Sequence, residues 1–135
     1  MPRQFERPQP PIYYTYKVVK TYPHDTSSFT EGLELHNGFL YESAGLEGKS
    51  FIGKRTLESA KYLQKIPLDA KYFGEGITIF DGRLYQLTWK DHQGFIYDVN
   101  SLKRLRTFEY YGEGWALTHD TESLIMAMHE LPLEP

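Results

Sequence analysis

Glu75-Gly76-Ile77-Thr78-Ile79-Phe80-Asp81-Gly82-Arg83-Leu84-Tyr85 has the pattern of a β-hairpin. β-branched and aromatic residues flank an Asp-Gly pair, and both positions of such a pair accept the positive φ that a two-residue hairpin turn requires. The pattern stands forty-four residues earlier as well, as Glu31-Gly32-Leu33-Glu34-Leu35-His36-Asn37-Gly38-Phe39-Leu40-Tyr41, with Asn-Gly at the turn. Third strands align, Phe51-Ile52 with Phe95-Ile96, and a more polar fourth strand follows each, about Lys61–Ile66 and Leu105–Glu109. Another Glu-Gly, Glu113-Gly114, opens thirty-eight residues after the second. Four strands per unit at about 40–45 residues is the period of a β-propeller blade. The predicted fold is therefore all-β, a β-propeller of which about two and a half blades are present. A Glu-Gly returning at the start of each first strand is expected to aim one position of every repeat at a shared central funnel.

Composition agrees with that class. Among 135 residues there are eleven Tyr, eight Phe and two Trp, with eleven Gly and eight Pro to turn the chain. A chain of this length buries roughly two-thirds of its surface, enough for one domain. Net charge is −3 and the basic residues do not cluster beyond Lys103-Arg104 with Arg106, which argues against a nucleic-acid partner. No apolar run reaches the roughly 18–20 residues of a membrane helix, and no signal-peptide core is legible near the start, so no membrane role is expected and the compartment is open. Residues 1–11, with Pro2, Pro8, Pro10 and Pro11, read as a disordered polar arm. Ile12 to Lys20 is rich in β-formers and reads as a strand, closed by turn chemistry at Tyr22-Pro23-His24-Asp25.

Glu75 follows Phe73-Gly74 and lies one strand from Trp89, the setting in which burial raises a carboxylate toward neutrality and lets it move protons. A salt bridge at a strand end is the other reading of Glu75. Glu31 could hold an ammonium group or simply repeat the blade geometry in the first blade, while Glu113 reads as structural. Trp89 and Trp115 suit either a core or an aromatic wall against a cationic amine. The five histidines lack zinc-ligand spacing and no cysteine assists them. His24-Asp25 reads as turn-stabilising. Ser43 and Ser50 have no evident base, and Gly45 to Gly48 lacks the lysine-threonine pair of a phosphate loop.

His24-Asp25, Phe29-Thr30-Glu31-Gly32-Leu33, Leu40-Tyr41-Glu42-Ser43, Gly45-Leu46, Gly48, Phe73-Gly74-Glu75-Gly76, Leu84-Tyr85-Gln86, Trp89, Gly94-Phe95, Tyr97-Asp98 and Gly114-Trp115 together resemble the plant and bacterial glutaminyl cyclases. The resemblance runs from about Tyr16 to Met126. It implies a five-bladed β-propeller of the general kind described for such repeats. It also implies a glutaminyl-peptide cyclotransferase, in which the α-amine of an amino-terminal glutamine attacks its own carboxamide, releasing ammonia and leaving pyroglutamate. The implied substrates are peptides or proteins with amino-terminal Gln, and no metal or other cofactor is implied. Matched position by position, Glu75 takes the place of the key catalytic carboxylate. Phe29, Glu31, Phe73, Trp89 and Trp115 fall at substrate-pocket positions, with Glu31 where the family shows glutamine or glutamate.

The family draws a further asparagine, tryptophan and lysine from later blades, beyond the matched region. After Leu124-Ile125-Met126 the family's Ser-Asp-Gly stretch is absent, so 12–126 reads as a partial propeller and 127–135 as a tail outside the family pattern. Asp120-Thr121 also replaces the usual Asp-Gly at the third turn. The break in mid-strand suggests a cut-short product, whose open blade edges invite self-association. A non-catalytic propeller fragment serving as a binding module stands as the alternative to the enzyme.

Overall fold

A computed structural model describes residues 9–130, and parts of the expected arm and tail lie outside them. Ten strands follow in order: β1 (Thr30–His36), β2 (Phe39–Ala44), β3 (Phe51–Arg55), β4 (Gln64–Pro67), β5 (Gly74–Phe80), β6 (Arg83–Thr88), β7 (Gln93–Asp98), β8 (Arg104–Glu109), β9 (Glu113–His119) and β10 (Leu124–His129). They form two four-stranded antiparallel meanders, β1-β2-β3-β4 and β5-β6-β7-β8, and a two-stranded hairpin of β9 and β10. No helix occurs among the described residues.

Local chemistry explains the hairpins. Asn37 and Gly38 sit at φ 48° and 80°, Asp81 and Gly82 at 50° and 72°, the left-handed pairs a two-residue turn needs to match strand twist. The third turn has no such pair. Asp120 instead accepts backbone N–H bonds from Glu122 and Ser123, both 2.7 Å, and closes a longer loop by hydrogen-bonding its own Oδ1 two and three residues on.

Each meander is a blade, and the blades meet through their first strands, with β5 packed between β1 and β9. The repeated glycine makes that approach. A Cβ on Gly32 would stand 2.7 Å from the Ile77 nitrogen, and one on Gly76 would stand 2.7 Å from the Trp115 carbonyl oxygen. Only a residue without a side chain lets these backbones lie so close. Behind them, Tyr41, Ile52, Leu68, Tyr72, Ile77, Ile79, Leu84, Phe95, Tyr97, Val99 and Leu102 fuse the two larger sheets into one apolar core. Polar links cross that interface too: Gln86 donates to Ser43 Oγ at 2.8 Å, Gly74 N–H to Ser50 Oγ at 2.9 Å, the Tyr41 hydroxyl to the Val99 carbonyl at 3.2 Å and, less buried, Ile79 N–H to Glu34 at 3.0 Å. They pin register where apolar packing alone would tolerate slip.

Three expectations need correction. Ile12 to Lys20 joins no ladder, and Tyr13, Tyr14, Tyr16 and Val19 are almost wholly exposed. β-propensity expresses itself only against a neighbouring strand, and none of the described residues offers this segment one. The boundary at 126 falls inside β10, because Ala127, Met128 and His129 pair with Ala116, Gly114 and Glu113.

Third, the Glu-Gly repeat keeps phase only in its first two copies. The strand irregularity falls at Glu31 in β1 and between Gly74 and Ile77 in β5, but at Trp115 in β9. Glu113 therefore precedes the bulged position, and an indole takes the place that carboxylates hold in the other two blades.

Candidate active site

The bulges matter because an extra residue in a strand re-aims its side chain. Here they point Glu31, Glu75 and Trp115 toward a common hollow at the inner edge of the blades. That hollow, about 350 Å³, is lined by Glu31, Glu75, Trp89, Trp115 and Ala116. Larger depressions lie elsewhere, one of about 480 Å³ beside Asp91, His92 and Tyr110, but none of them gathers paired carboxylates with indoles.

Glu75 is the buried member, 9% exposed. Its carboxyl is raised from an ordinary 4.5 to about 8, first because burial penalises the charge. The negative charge of Glu31, a hydrogen bond between the two carboxyl groups, and the charge of Glu113 push the same way. Two carboxyl groups this close in a half-dry site disfavour carrying charge together, and that keeps the proton on the more buried Glu75. Glu31 is the more accessible partner, half-buried where Glu75 is buried.

Aromatic rings fix the wall. Phe29, Phe73 and Trp89 form an edge-to-face chain with centroid separations of 6.0 and 5.5 Å. Gly45 makes room for Phe73, since a Cβ there would lie 2.3 Å from the ring. Backbone bonds tie the chain to its neighbours: Gly45 N–H donates to the Phe29 carbonyl at 2.8 Å, and Trp89 N–H to the Phe73 carbonyl at 3.0 Å. Trp115 stands opposite, 53% exposed, its ring stacked on His129. Of the residues expected from sequence, Glu31, Glu75, Trp89 and Trp115 line the hollow, whereas Phe29 and Phe73 support Trp89 from behind.

Two contributors were not anticipated. Glu113, read as structural, accepts a 3.0 Å hydrogen bond from the Trp89 indole nitrogen and adds its charge to the field on Glu75. Its place in the third Glu-Gly was the available signal, although the two-residue offset of the bulge to Trp115 hid its partner. Tyr110 had no signal. Its hydroxyl bridges the Thr88 backbone, accepting from the N–H and donating to the carbonyl, and so braces the end of β6 just before Trp89. Among the described residues no group of three or more His, Cys, Asp or Glu side chains is arranged to hold a metal ion.

Comparison with known proteins agrees with this geometry. The sequence profile of the glutamine cyclotransferase family matches residues 1–128. A glutaminyl-peptide cyclotransferase of Arabidopsis thaliana is 39% identical over 110 residues, covering 80% of this chain and 34% of that protein. The crystal structure of Myxococcus xanthus glutaminyl cyclase superposes with a TM-score of 0.76 at 34% identity, covering 83% of this chain and 47% of the other. This chain thus spans about a third of the plant relative and about half of the bacterial one. With the profile covering nearly its whole length and β-propeller blades to match, the chain belongs to the glutamine cyclotransferase family.

Proposed function

We propose that this chain carries the proton-transfer carboxylate of a glutaminyl-peptide cyclotransferase, which converts amino-terminal glutamine of peptides to pyroglutamate and ammonia. The observation that carries the reading is Glu75, buried, sharing the hollow with Glu31 and facing two indoles.

The chemistry needs one group that takes and returns protons. Glu75 as carboxylate removes a proton from the substrate's α-ammonium, and the freed amine attacks the side-chain carboxamide carbon, forming the ring C–N bond. Glu75 passes its proton to the departing nitrogen and takes one from the ring nitrogen. Collapse of the oxyanion breaks the old C–N bond, ammonia leaves, and the proton on Glu75 departs with it as ammonium. A base with a pKa near that of its task is best suited to such a relay. An arriving ammonium lowers the pKa of Glu75 by charge attraction, while Glu31 supplies the second negative charge that holds it. Trp89 and Trp115 offer π-faces to the cation and to the flat amide.

Incubating a Gln-initiated peptide with the chain and following ammonia loss by mass spectrometry tests the proposal. Turnover above the spontaneous rate, abolished by Glu75→Gln, is the supporting result. The exposure of Trp115 favours a second reading, a module that binds such peptides without cyclising them. Calorimetric binding with no ammonia release would select it.

A further inference from the structure

Glu42 is fully buried, yet it lines no part of the hollow. Its Oε1 accepts from Thr30 Oγ1 at 2.6 Å and faces His24 Nε2 at 2.9 Å, while Oε2 accepts from the Tyr62 hydroxyl at 2.8 Å. Burial pushes this carboxyl up, but the bonds from Thr30, His24 and Tyr62 outweigh it and hold the group below its ordinary value, hence ionised. Arg55, also buried, sets its Nε 4.0 Å from Oε2 and donates from Nη1 to the Pro23, Thr56 and Ser59 carbonyls. Tyr62 shares a further hydrogen bond with Ser28.

The targets of this cluster converge. Pro23, His24, Ser28 and Thr30 belong to one segment, the lead into β1, and Thr30 lies between Phe29 and Glu31 of the site. Architecture alone does not ask for a charge there. Gln86 occupies the corresponding position of the second blade, forty-four residues on, fully buried and satisfied by Ser43 and Tyr97. In the first blade Gly53 stands where the second has Tyr97, and Tyr62 from the following loop lays its ring against that glycine. A neutral amide serves the second blade. The first uses an acceptor-only group that can take three donors at once, and those donors come from Thr30, His24 and the Tyr62 hydroxyl.

We propose that Glu42 is a positioning residue of the active site: through Thr30 and His24 it fixes the Phe29–Glu31 edge, and through Phe29 and Phe73 the setting of Trp89. This rests on the cyclotransferase reading for its functional meaning, but its physical content does not need substrate.

The test is amide hydrogen exchange and indole NMR on the 135-residue chain carrying Glu42→Gln, the residue the second blade itself uses. Exchange at the Gly45 amide, which donates to the Phe29 carbonyl, is expected to speed up about tenfold or more while amides of β5 to β8 change by less than about twofold. The Trp89 indole resonance moves and that of Trp115 stays. Thr30→Val should reproduce the effect and Thr30→Ser should restore wild-type behaviour. If Glu42→Gln does not fold, Tyr62→Phe, which deletes one donor only, is read by the same criteria. Acceleration spread evenly over all strands, or none at Gly45, overturns the proposal. Failure of the unsubstituted chain to bind a Gln-initiated peptide counts against the cyclotransferase reading alone, because the exchange result is obtained without substrate.

Discussion

The Trp89 indole nitrogen donates to Glu113 Oε2 at 3.0 Å, so one carboxylate both orients an aromatic wall and raises the proton affinity of a neighbouring acid. The two tasks separate by substitution. Glu113→Gln leaves an oxygen acceptor for the indole and removes the charge. Glu113→Ala removes both. The first should shift the Glu75 titration to lower pH with Trp89 fluorescence unchanged. The second should also make Trp89 more accessible to acrylamide, and cost about 1 kcal/mol of stability for the lost bond.

The raised pKa of Glu75 makes stability fall as pH rises. Unfolded, the group titrates near 4.5; folded, near 8, so between those values the native state holds a proton that the unfolded state has released. Stability then declines with increasing pH across that window, its full cost being reached above the folded pKa. Glu75→Gln, which cannot ionise, should raise Tm at pH 8.5 and change it little at pH 4. Thermal scans at the two values check this.

Under the proposed relay, turnover is expected to depend on pH in the opposite sense. If Glu75 must be ionised to accept the first proton, kcat/KM rises with pH along a limb set by its pKa in the free protein. Removing the neighbouring charge by Glu31→Gln or Glu113→Gln moves that limb to lower pH. An unmoved limb would mean another group sets it.

Gly76 is predicted to be among the least replaceable residues, because a Cβ would meet backbone of β9 at 2.7 and 2.8 Å. Gly76→Ala should cost about 1–3 kcal/mol in chemical denaturation, as overpacking does. Gly38→Ala meets nothing within 4 Å and carries only the strain of its φ of +80°, so about 1 kcal/mol is expected.

The β9–β10 hairpin leaves its outer strand edge unpaired among the described residues, with Leu124 and Ile125 exposed. Such an edge recruits other strands unless a charge guards it. The purified chain should associate in a concentration-dependent manner in analytical ultracentrifugation, and Ile125→Lys should reduce that association severalfold.

Much of this was legible because it is local. Asn37-Gly38 and Asp81-Gly82 dictate turns, and the forty-four-residue spacing of the two full hairpins dictates blades. That Glu75 opens a strand near Trp89 was legible from the same repeat. What escaped depends on contacts between units. Ile12 to Lys20 has strand chemistry but meets no pairing strand among the described residues, and its sequence carries no mark of that. The shift of Glu113 against Glu75 follows from a bulge at Trp115, and a bulge is a property of two paired strands. Glu42 was equally hidden: only the fold shows that Thr30, His24 and Tyr62 turn toward it while Gln86, its counterpart, faces Ser43 and Tyr97.

The proposed chemistry stands on Glu75 as a carboxyl group poised to exchange protons near neutrality. Carbon-13 NMR titration of the Glu75 carboxyl, assigned by its loss in Glu75→Gln, measures this directly. A midpoint near 8 that falls when Glu31 is replaced by Gln is expected. A midpoint near 4.5, insensitive to Glu31→Gln, would contradict it.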